Sequence, residues 1–360
     1  MSPSELADLR KDAQQIFQAG IKAADPYLAV KQYLQFDDKQ LVCKLDLNNV
    51  VRKKHWHKIY LIAFGKAACA MMTAAQDIIP AQMIAAKAIA VTNYANVQDI
   101  ENVAVIGAGH PLPDLAGVAG AGKIIELVLQ AQPEELVLML VSGGGSALLS
   151  APVAAIDLQD KIATTELLLA SGATIYEINC VRKHLSLVKG GGLAKMAAPA
   201  DLHALILSDV LGDDVSVIAS GPTVADNTTF AQALKVLKDK ALWDKVPVAV
   251  QAYLQKGSRG EVSETPKPDD LIFGQVTQAV IASNSVSLQA ITLAAGKLGY
   301  DVTIYNKQLT GEAQQAAEKL AVYAKSIIDS GINKPCAILA GGETTVTLKG
   351  AGLGGRNQEM

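Results

Sequence analysis

Three consecutive glycines stand between two serines near the middle of the chain, directly after an apolar run that predicts a buried strand. The run covers residues 136–141, and the segment after it is Ser142, Gly143, Gly144, Gly145 and Ser146. Glycines let backbone N–H groups converge on an anion, and serine hydroxyls can complete the set of donors. The segment therefore predicts a phosphate-binding loop. A tight strand-to-helix turn is the alternative.

A second segment combines cationic side chains with glycines. Arg182, Ser186 and Lys189 are spaced i, i+4 and i+7, which places them on one face of a helix. Gly190 and Gly191 follow directly. This face could bind a phosphate or a carboxylate. The alternative is a solvated basic helix end, which the helix dipole favours.

Acidic side chains cluster after a later apolar run. Asp209, Asp213 and Asp214 follow the strand predicted at 202–208, at the sheet edge where open α/β proteins bind ligands. Such carboxylates repel one another unless a cation lies between them, so the cluster predicts Mg²⁺ bound through one or two of them together with substrate phosphates. Two of the three could instead cap the next helix.

Two loops after predicted strands carry one cationic or titratable side chain each. Lys66 begins a helix after the strand at 59–64, where its charge is unfavourable unless an anion binds beside it. His110 lies at the tip of the proline-rich loop 109–114, where it could contact a ligand. A surface lysine and a histidine that only fastens its loop are the alternatives.

Near the end of the chain, two glycine-rich segments flank a strand predicted at 344–348. The first contains Glu343 and Thr344, and the second contains Arg356 and Asn357. The guanidinium of Arg356 presents a fork of donors that suits a carboxylate or a phosphate. A surface hairpin is the alternative interpretation.

Two nucleotide-binding motifs are present only in part, and we reject both. Residues 117–124 approximate a Walker A loop, but Ile124 replaces the hydroxyl that binds Mg²⁺ and the run lies inside a predicted helix. Residues 107–112 begin like a dinucleotide fingerprint, but Pro111 and Leu112 stand where the helix should start. The sequence therefore gives little support for an NAD(P)-dependent enzyme.

The elements that would position these residues alternate between strands and helices from about residue 58 onward. This order predicts an α/β protein with a Rossmann-like, doubly wound parallel sheet and a second, smaller α/β domain. The polar stretch 225–270 predicts a surface connection, which places the boundary near 235 and the domains at 1–235 and 236–360.

The first domain is predicted to contain strands at 59–64, 86–92, 102–106, 136–141 and 202–208. Its helices are predicted at 66–79, 114–131, 157–171 and 174–187, after a first helix at 4–24. The second is predicted to contain strands at 271–281, 300–305, 336–340 and 344–348 and helices at 285–298 and 311–329.

Composition restricts the possible partners. The chain of 360 residues has 32 basic and 35 acidic residues, a net charge of −3, which gives no reason to expect nucleic acid as a ligand. Four widely spaced cysteines predict neither disulfides nor a zinc site. No signal peptide or apolar run long enough to span a membrane is visible, so we expect a cytoplasmic protein without a membrane partner.

Taken in order, these segments resemble the class II glycerate 2-kinases, whose C-terminal part is called the MOFRL domain. The motifs that carry the resemblance are GHPLPD at 109–114, SGGGSALL at 142–149, VRKHLSLVKGG at 181–191, LSDVLGDD at 207–214, ASGPT at 219–223 and GGETTVTLKGAGLGGRNQE at 341–359. The resemblance implies transfer of the γ-phosphoryl group of ATP to the 2-hydroxyl of D-glycerate, with Mg²⁺, in a cleft between the two domains. It also implies that the C-terminal end of the MOFRL domain is lacking, because family members continue beyond this point.

The resemblance also implies roles for individual residues. Lys66 and Arg356 match the family's catalytic lysine and arginine. The resemblance assigns the nucleotide phosphates to Ser142, Gly143, Gly144, Gly145 and Ser146, and the metal to Asp209 or Asp213. From the residue types and spacing given above, we also expect phosphate to contact Lys189, Gly190 and Gly191, and the substrate to contact His110, Arg182, Glu343, Thr344 and Asn357. A homodimer is possible. A hydroxypyruvate reductase that uses NAD(P)H and a non-catalytic nucleotide or hydroxy-acid binding protein are the rival interpretations.

Overall fold

Residues of the chain pack around separate hydrophobic cores in two compact units. The larger unit is residues 30–281, and the smaller one combines the chain up to Ala29 with the chain from Ala282 onward. The computed structural model describes residues 2–37, 40–46, 50–331, 334–347, 350 and 354–360. Among these residues, no helix is both long enough and apolar enough to cross a membrane.

The strands of the described residues are β1 (Leu34–Asp37), β2 (Gln40–Lys44), β3 (Val51–Lys54), β4 (Ile59–Phe64), β5 (Ala88–Asn93), β6 (Val103–Ala108), β7 (Leu136–Val141), β8 (Asp201–Leu207), β9 (Val276–Ala282), β10 (Asp301–Leu309) and β11 (Cys336–Gly342). The helices are α1 (Pro3–Ala23), α2 (Pro26–Tyr33), α3 (Ala68–Gln76), α4 (Leu115–Val128), α5 (Gly145–Leu148), α6 (Leu158–Ala170), α7 (Ile175–His184), α8 (Gly192–Ala197), α9 (Phe230–Asp239), α10 (Val248–Ser258), α11 (Asn284–Lys297), α12 (Ala313–Asp329) and α13 (Arg356–Glu359).

A six-stranded sheet forms the centre of the larger unit, in the order β6-β5-β4-β7-β8-β9. The four pairings from β6 to β8 are parallel. Every residue of β4 and β7 is buried, as expected for central strands with helices on both faces. The strand order reverses between β4 and β7, which makes this the topological switch point of the sheet. The predicted α/β class and parallel sheet are confirmed.

Side chains cap the helices around this sheet. Asp114 accepts a hydrogen bond from the N–H of Gly117 (2.9 Å) at the start of α4, so the Walker-like run does lie within a helix. Asp157 caps α6 as predicted, through the N–H of Asp160 (2.7 Å). A small antiparallel sheet of β1, β2 and β3 was not predicted.

The stretch 225–270, predicted to be a connection, instead contains the two helices α9 and α10. Phe230, Leu237 and Leu254 are buried with residues of α7 in one cluster, and Gly257 lets α10 approach the ring of Phe230 closely. This packing and the place of β9 in the sheet hold the stretch within the larger unit. The boundary expected near 235 therefore falls inside α9, and the division at 281–282 differs from it.

The smaller unit has its own core. The parallel strands β10 and β11 pack against α11, and α11 packs against α1 through Ile16 and Leu288. Because its apolar face is buried on α11, the first helix belongs to this unit rather than to the one predicted for it. The strand predicted at 344–348 is not formed up to residue 347, where only Thr345 makes an isolated bridge, to Glu312. Residues 348–349 and 351–353 of the last motif lie outside the described residues.

Candidate functional site

The loops that follow β4 and β7 touch each other at the switch point of the sheet. The N–H of Lys66 donates to the carbonyl of Gly143 (2.9 Å). Gly65 has a φ of +117°, and a Cβ there would lie 2.4 Å from the carbonyl oxygen of Ser142. Only glycine allows this contact. The two loops are therefore fixed to each other where open α/β sheets bind ligands.

Three exposed polar side chains surround the first two glycines of the loop. A Cβ on Gly143 would lie 2.0 Å from an Asp209 carboxylate oxygen, so Asp209 lies directly against the backbone of this glycine. A Cβ on Gly144, whose φ is +81°, would lie 3.0 Å from Cδ2 of His110 and 3.2 Å from Cε of Lys66. The structure thus brings together a cation, a carboxylate and an imidazole that were predicted from separate segments.

The electrostatics of His110 reflect these neighbours. Partial burial and then the Lys66 cation lower the pKa of His110, while the Asp209 carboxylate raises it. The neutral imidazole is therefore favoured over a wider pH range than in free histidine. A neutral ring can donate one hydrogen bond and accept another, which suits a hydroxyl group.

Asp114, rather than His110, fastens the loop 109–114. Its carboxylate accepts from the hydroxyl of Tyr94 (2.5 Å) as well as from the N–H of Gly117. Gly109 approaches the carbonyl of Leu112 too closely for any side chain. The His110 side chain is exposed at the tip of this braced loop.

Several residues predicted to bind phosphate form their hydrogen bonds within the protein. Ser142 is 1% exposed, and its hydroxyl accepts from the N–H of Ala67 (3.0 Å). The N–H groups of Gly190 and Gly191 donate to the carbonyls of Ser220 (3.0 Å) and Gly221 (2.8 Å). The N–H of Gly145 likewise donates to the carbonyl of Ser142 (3.4 Å). Because these donors are already used, we restrict the phosphate-binding prediction to Gly143 and Gly144.

The structure brings Ser146, Arg182 and Lys189 together, and both cations donate hydrogen bonds to Ser146. Lys189 is 2% exposed, and its Nζ donates to the carbonyl (3.0 Å) and the hydroxyl (2.8 Å) of Ser146. Nη2 of Arg182 donates to the same hydroxyl. The helix α7 ends at His184, so Ser186 and Lys189 lie beyond it and the predicted shared helix face is wrong. Arg182 and Lys189 nevertheless meet, and their common partner is a serine rather than a ligand.

The acidic cluster divides into residues with different roles. Asp214 accepts from the N–H of Ser216 (2.9 Å), a local turn contact like the capping alternative. Asp213 adopts a left-handed φ of +56° in the same turn. Within the described part of the chain, no three His, Cys, Asp or Glu side chains are close enough to hold a metal. Asp209 is the exposed carboxylate beside the loop, and one carboxylate plus substrate phosphates is a typical set of ligands for Mg²⁺.

The remaining predicted residues lie in the smaller unit. Arg356 and Glu343 are both about half exposed and form an ion pair (2.5 Å). Asn357 is exposed in the same short helix, α13, whereas Thr344 is only 6% exposed. The structure brings the arginine and the glutamate together as the proximity of their segments suggests.

Asn179 and Ser220, which hold Ser146 at the end of the glycine loop, were not predicted from the sequence. Ser220 bonds to Ser146 (2.8 Å) and to Asn179 (2.9 Å) through their side-chain oxygens. Ala219 and Ser220 both have positive φ values, which no sequence pattern without glycine predicts. The only available signal was the turn sequence at 219–223.

Known proteins resemble this chain over nearly its whole length. A family model described as a domain of unknown function, DUF4147, matches residues 12–255. A Pyrococcus horikoshii protein named glycerate 2-kinase is 42% identical over 98% of this chain and 78% of its own length. An Agrobacterium vitis protein named provisionally as a hydroxypyruvate reductase is 38% identical, with coverages of 98% and 74%. The crystal structure of a Thermotoga maritima glycerate kinase superimposes with a TM-score of 0.83 at 35% identity, covering 98% of this chain and 78% of that one.

Proposed function

Since the chain belongs to the glycerate 2-kinase family, we propose that it transfers the γ-phosphoryl group of ATP to the 2-hydroxyl of D-glycerate. The products are 2-phosphoglycerate and ADP, and Mg²⁺ is required. The observation that carries this proposal is the group of Lys66, His110 and Asp209 around Gly143 and Gly144 at the switch point. A small polyanion and a hydroxy acid both find complementary groups there.

In the proposed reaction, O2 of glycerate forms a bond to the γ-phosphorus while the bond from phosphorus to the β–γ bridging oxygen breaks. The hydroxyl proton is released, and ADP leaves. Such transfers need alignment and charge neutralisation more than covalent help from the protein. The Lys66 ammonium would neutralise the oxygens of the transferred group, and the backbone at Gly143 and Gly144 would fix its position.

Asp209 would hold Mg²⁺, which when bound neutralises phosphate oxygens. The neutral imidazole of His110 would hydrogen-bond the substrate and orient it. Arg356 belongs to the smaller unit, and its catalytic role rests on the family resemblance.

A cytoplasmic location and a homodimer are further proposals. The location is supported by the free cysteines among the described residues.

The test is product formation from D-glycerate, ATP and Mg²⁺, with the regioisomer identified by phosphorus NMR. We expect 2-phosphoglycerate. The hydroxypyruvate reductase alternative is measured in parallel as oxidation of NAD(P)H with hydroxypyruvate, and we expect none. Formation of 3-phosphoglycerate would refute the proposed regiochemistry, and reductase activity without phosphorylation would refute the kinase proposal.

Lys66→Ala is expected to abolish phosphorylation without unfolding the protein, because Lys66 is exposed and supports no core packing. Lys123→Ala is the matched control: this exposed lysine lies on α4 in the rejected Walker-like run. Its activity should equal that of the wild type. Turnover by Lys66→Ala, or its loss in Lys123→Ala, would show that the site is assigned to the wrong loop. Circular dichroism verifies that both variants are folded.

A further inference from the structure

The hydroxyl of Ser146 has no hydrogen-bonding capacity left for a ligand. It contacts Nζ of Lys189 (2.8 Å), Nη2 of Arg182 and the hydroxyl of Ser220 (2.8 Å). Lysine and arginine only donate, so they occupy both acceptor positions of this oxygen. Ser220 donates to Oδ1 of Asn179 (2.9 Å), so the one proton of Ser146 must be donated to Ser220. Every hydrogen-bonding position of the Ser146 hydroxyl is therefore filled by the protein.

Lys189 is similarly occupied. Its Nζ lies within hydrogen-bond distance of the carbonyl and hydroxyl of Ser146 (3.0 and 2.8 Å) and of the carbonyl of Ala219 (3.4 Å). The amine of Lys189 therefore has three oxygen partners, and all three belong to the protein. The side chain is almost fully buried, so it joins two protein segments and does not face solvent.

The two segments that Lys189 joins lie directly behind the candidate site. Ser146 follows Gly145 in α5, which begins at the end of the glycine loop. A Cβ on Gly145 would lie 3.0 Å from the Cβ of Ala219, so the loop packs against the turn at 219–220. Ala219 and Ser220 have φ values of +51° and +62°, a conformation that non-glycine residues keep only when their surroundings fix it.

From these contacts we propose that Lys189 is a positioning residue: through Ser146 it holds the glycine loop in the geometry required for catalysis, and it does not bind the nucleotide itself. The inference rests on the proposed function for its catalytic part. Its structural part, that Lys189 fixes the start of α5, stands on the hydrogen bonds alone. The two parts are tested by separate measurements.

The structural part is tested by hydrogen exchange in Lys189→Met, which keeps an unbranched buried side chain and removes the three hydrogen bonds. The reporters are the amides of Ala147, Leu148 and Leu149, which donate to carbonyls of the glycine loop. The matched control is Lys161→Met, because Lys161 is also buried but donates to Ser150 (3.0 Å) rather than to Ser146. We expect faster exchange of the three amides in Lys189→Met and wild-type exchange in the control.

The catalytic part is tested by steady-state kinetics of Lys189→Met and Ser146→Ala in the full chain. Displacing a loop that aligns the reacting groups costs roughly a hundredfold in kcat, while KM for D-glycerate should stay close to the wild-type value. The double variant should lose no more than the worse single variant, because both changes break the same contact. Lys161→Met should retain the wild-type kcat.

Each outcome supports or overturns one part. Unchanged exchange in Lys189→Met would overturn the structural part. Faster exchange with unchanged kcat, or additive losses in the double variant, would overturn the positioning role. A large rise in KM for ATP at constant kcat would identify Lys189 as a nucleotide ligand instead. If the wild type does not phosphorylate D-glycerate, the proposed function fails, and hydrogen exchange still decides whether Lys189 fixes the loop.

Discussion

The absence of a single Cβ at Gly143 determines how closely Asp209 approaches the glycine loop. In Gly143→Ala, the new methyl group would overlap a carboxylate oxygen at 2.0 Å, so Asp209 must move away from the site. We expect kcat to fall at least tenfold, about 1.4 kcal/mol in transition-state stabilisation. Gly122→Ala is the matched control, since a Cβ there has open space and alanine favours the interior of α4. Kinetics and urea unfolding of both variants measure the difference, and equal activity would contradict the placement of Asp209.

The pKa of His110 reports on its two charged neighbours. Lys66 lowers this pKa, so Lys66→Ala should raise it toward the usual histidine range. Asp209→Asn should lower it further, because it removes the carboxylate that favours the protonated ring. NMR titration of the His110 ring protons measures both shifts, and Lys123→Ala should leave the titration unchanged. Shifts of the same sign in the two site variants would contradict the arrangement of charges.

At the scale of the element, α6 carries a buried charge that makes stability depend on pH. Burial, and then the nearby Arg182 cation, lower the pKa of Lys161 to about 7, whereas the ordinary lysine pKa is about 10.4. Between these values the unfolded chain binds the extra proton, so the free energy of unfolding should rise with pH by up to about 1.4 kcal/mol per pH unit. Below the pKa of Lys161 in the folded protein, this side chain is charged in both the folded and the unfolded state. The penalty for burying the charge is then fully present.

Lys161→Met removes this dependence, so its free energy of unfolding should rise less steeply between pH about 7 and about 10. Urea unfolding across this range measures the slope. Lys123→Met, an exposed lysine on α4, is the control and should keep the wild-type slope. Identical slopes for wild type and Lys161→Met would mean that Lys161 stays charged in the folded protein.

Elements that are buried on both faces could be predicted from the sequence, and elements stabilised by distant partners could not. The strands β4, β7 and β8 can be recognised in the sequence as apolar runs, because central parallel strands need apolar residues at nearly every position. β3 has only partly buried or exposed residues, and a long-range ion pair of Arg52 with Asp201 (2.6 Å) holds it.

In the candidate site, Lys66 and Asp209 could be predicted because they follow the apolar strands β4 and β8. The burial of Lys189 depends on Ser146, 43 residues away, and no local pattern encodes it.

At the scale of the whole molecule, the chain's two ends form one unit and its middle forms the other. A boundary drawn from composition assumes that each unit is continuous, so it could not have placed α1 with residues beyond 281. The reason for this placement is packing. The hydroxyl of Ser287 on α11 donates to the carbonyl of Gly20 on α1 (3.0 Å), and the hydroxyl of Tyr300 donates to Asp12 (2.8 Å).

Because the cores are separate, a fault in the contact between α1 and α11 should destabilise the smaller unit selectively. A Cβ on Gly20 would lie 2.7 Å from the side chain of Ile291, so Gly20→Leu must push the helices apart. We expect faster hydrogen exchange in β10 and β11 and unchanged exchange in β4, β7 and β8. Gly296→Leu, at an exposed position of α11 with open space around it, is the control and should change neither set. Equal loss of protection in both sheets would show that the two units unfold as one, since local opening otherwise follows cooperative units of the structure.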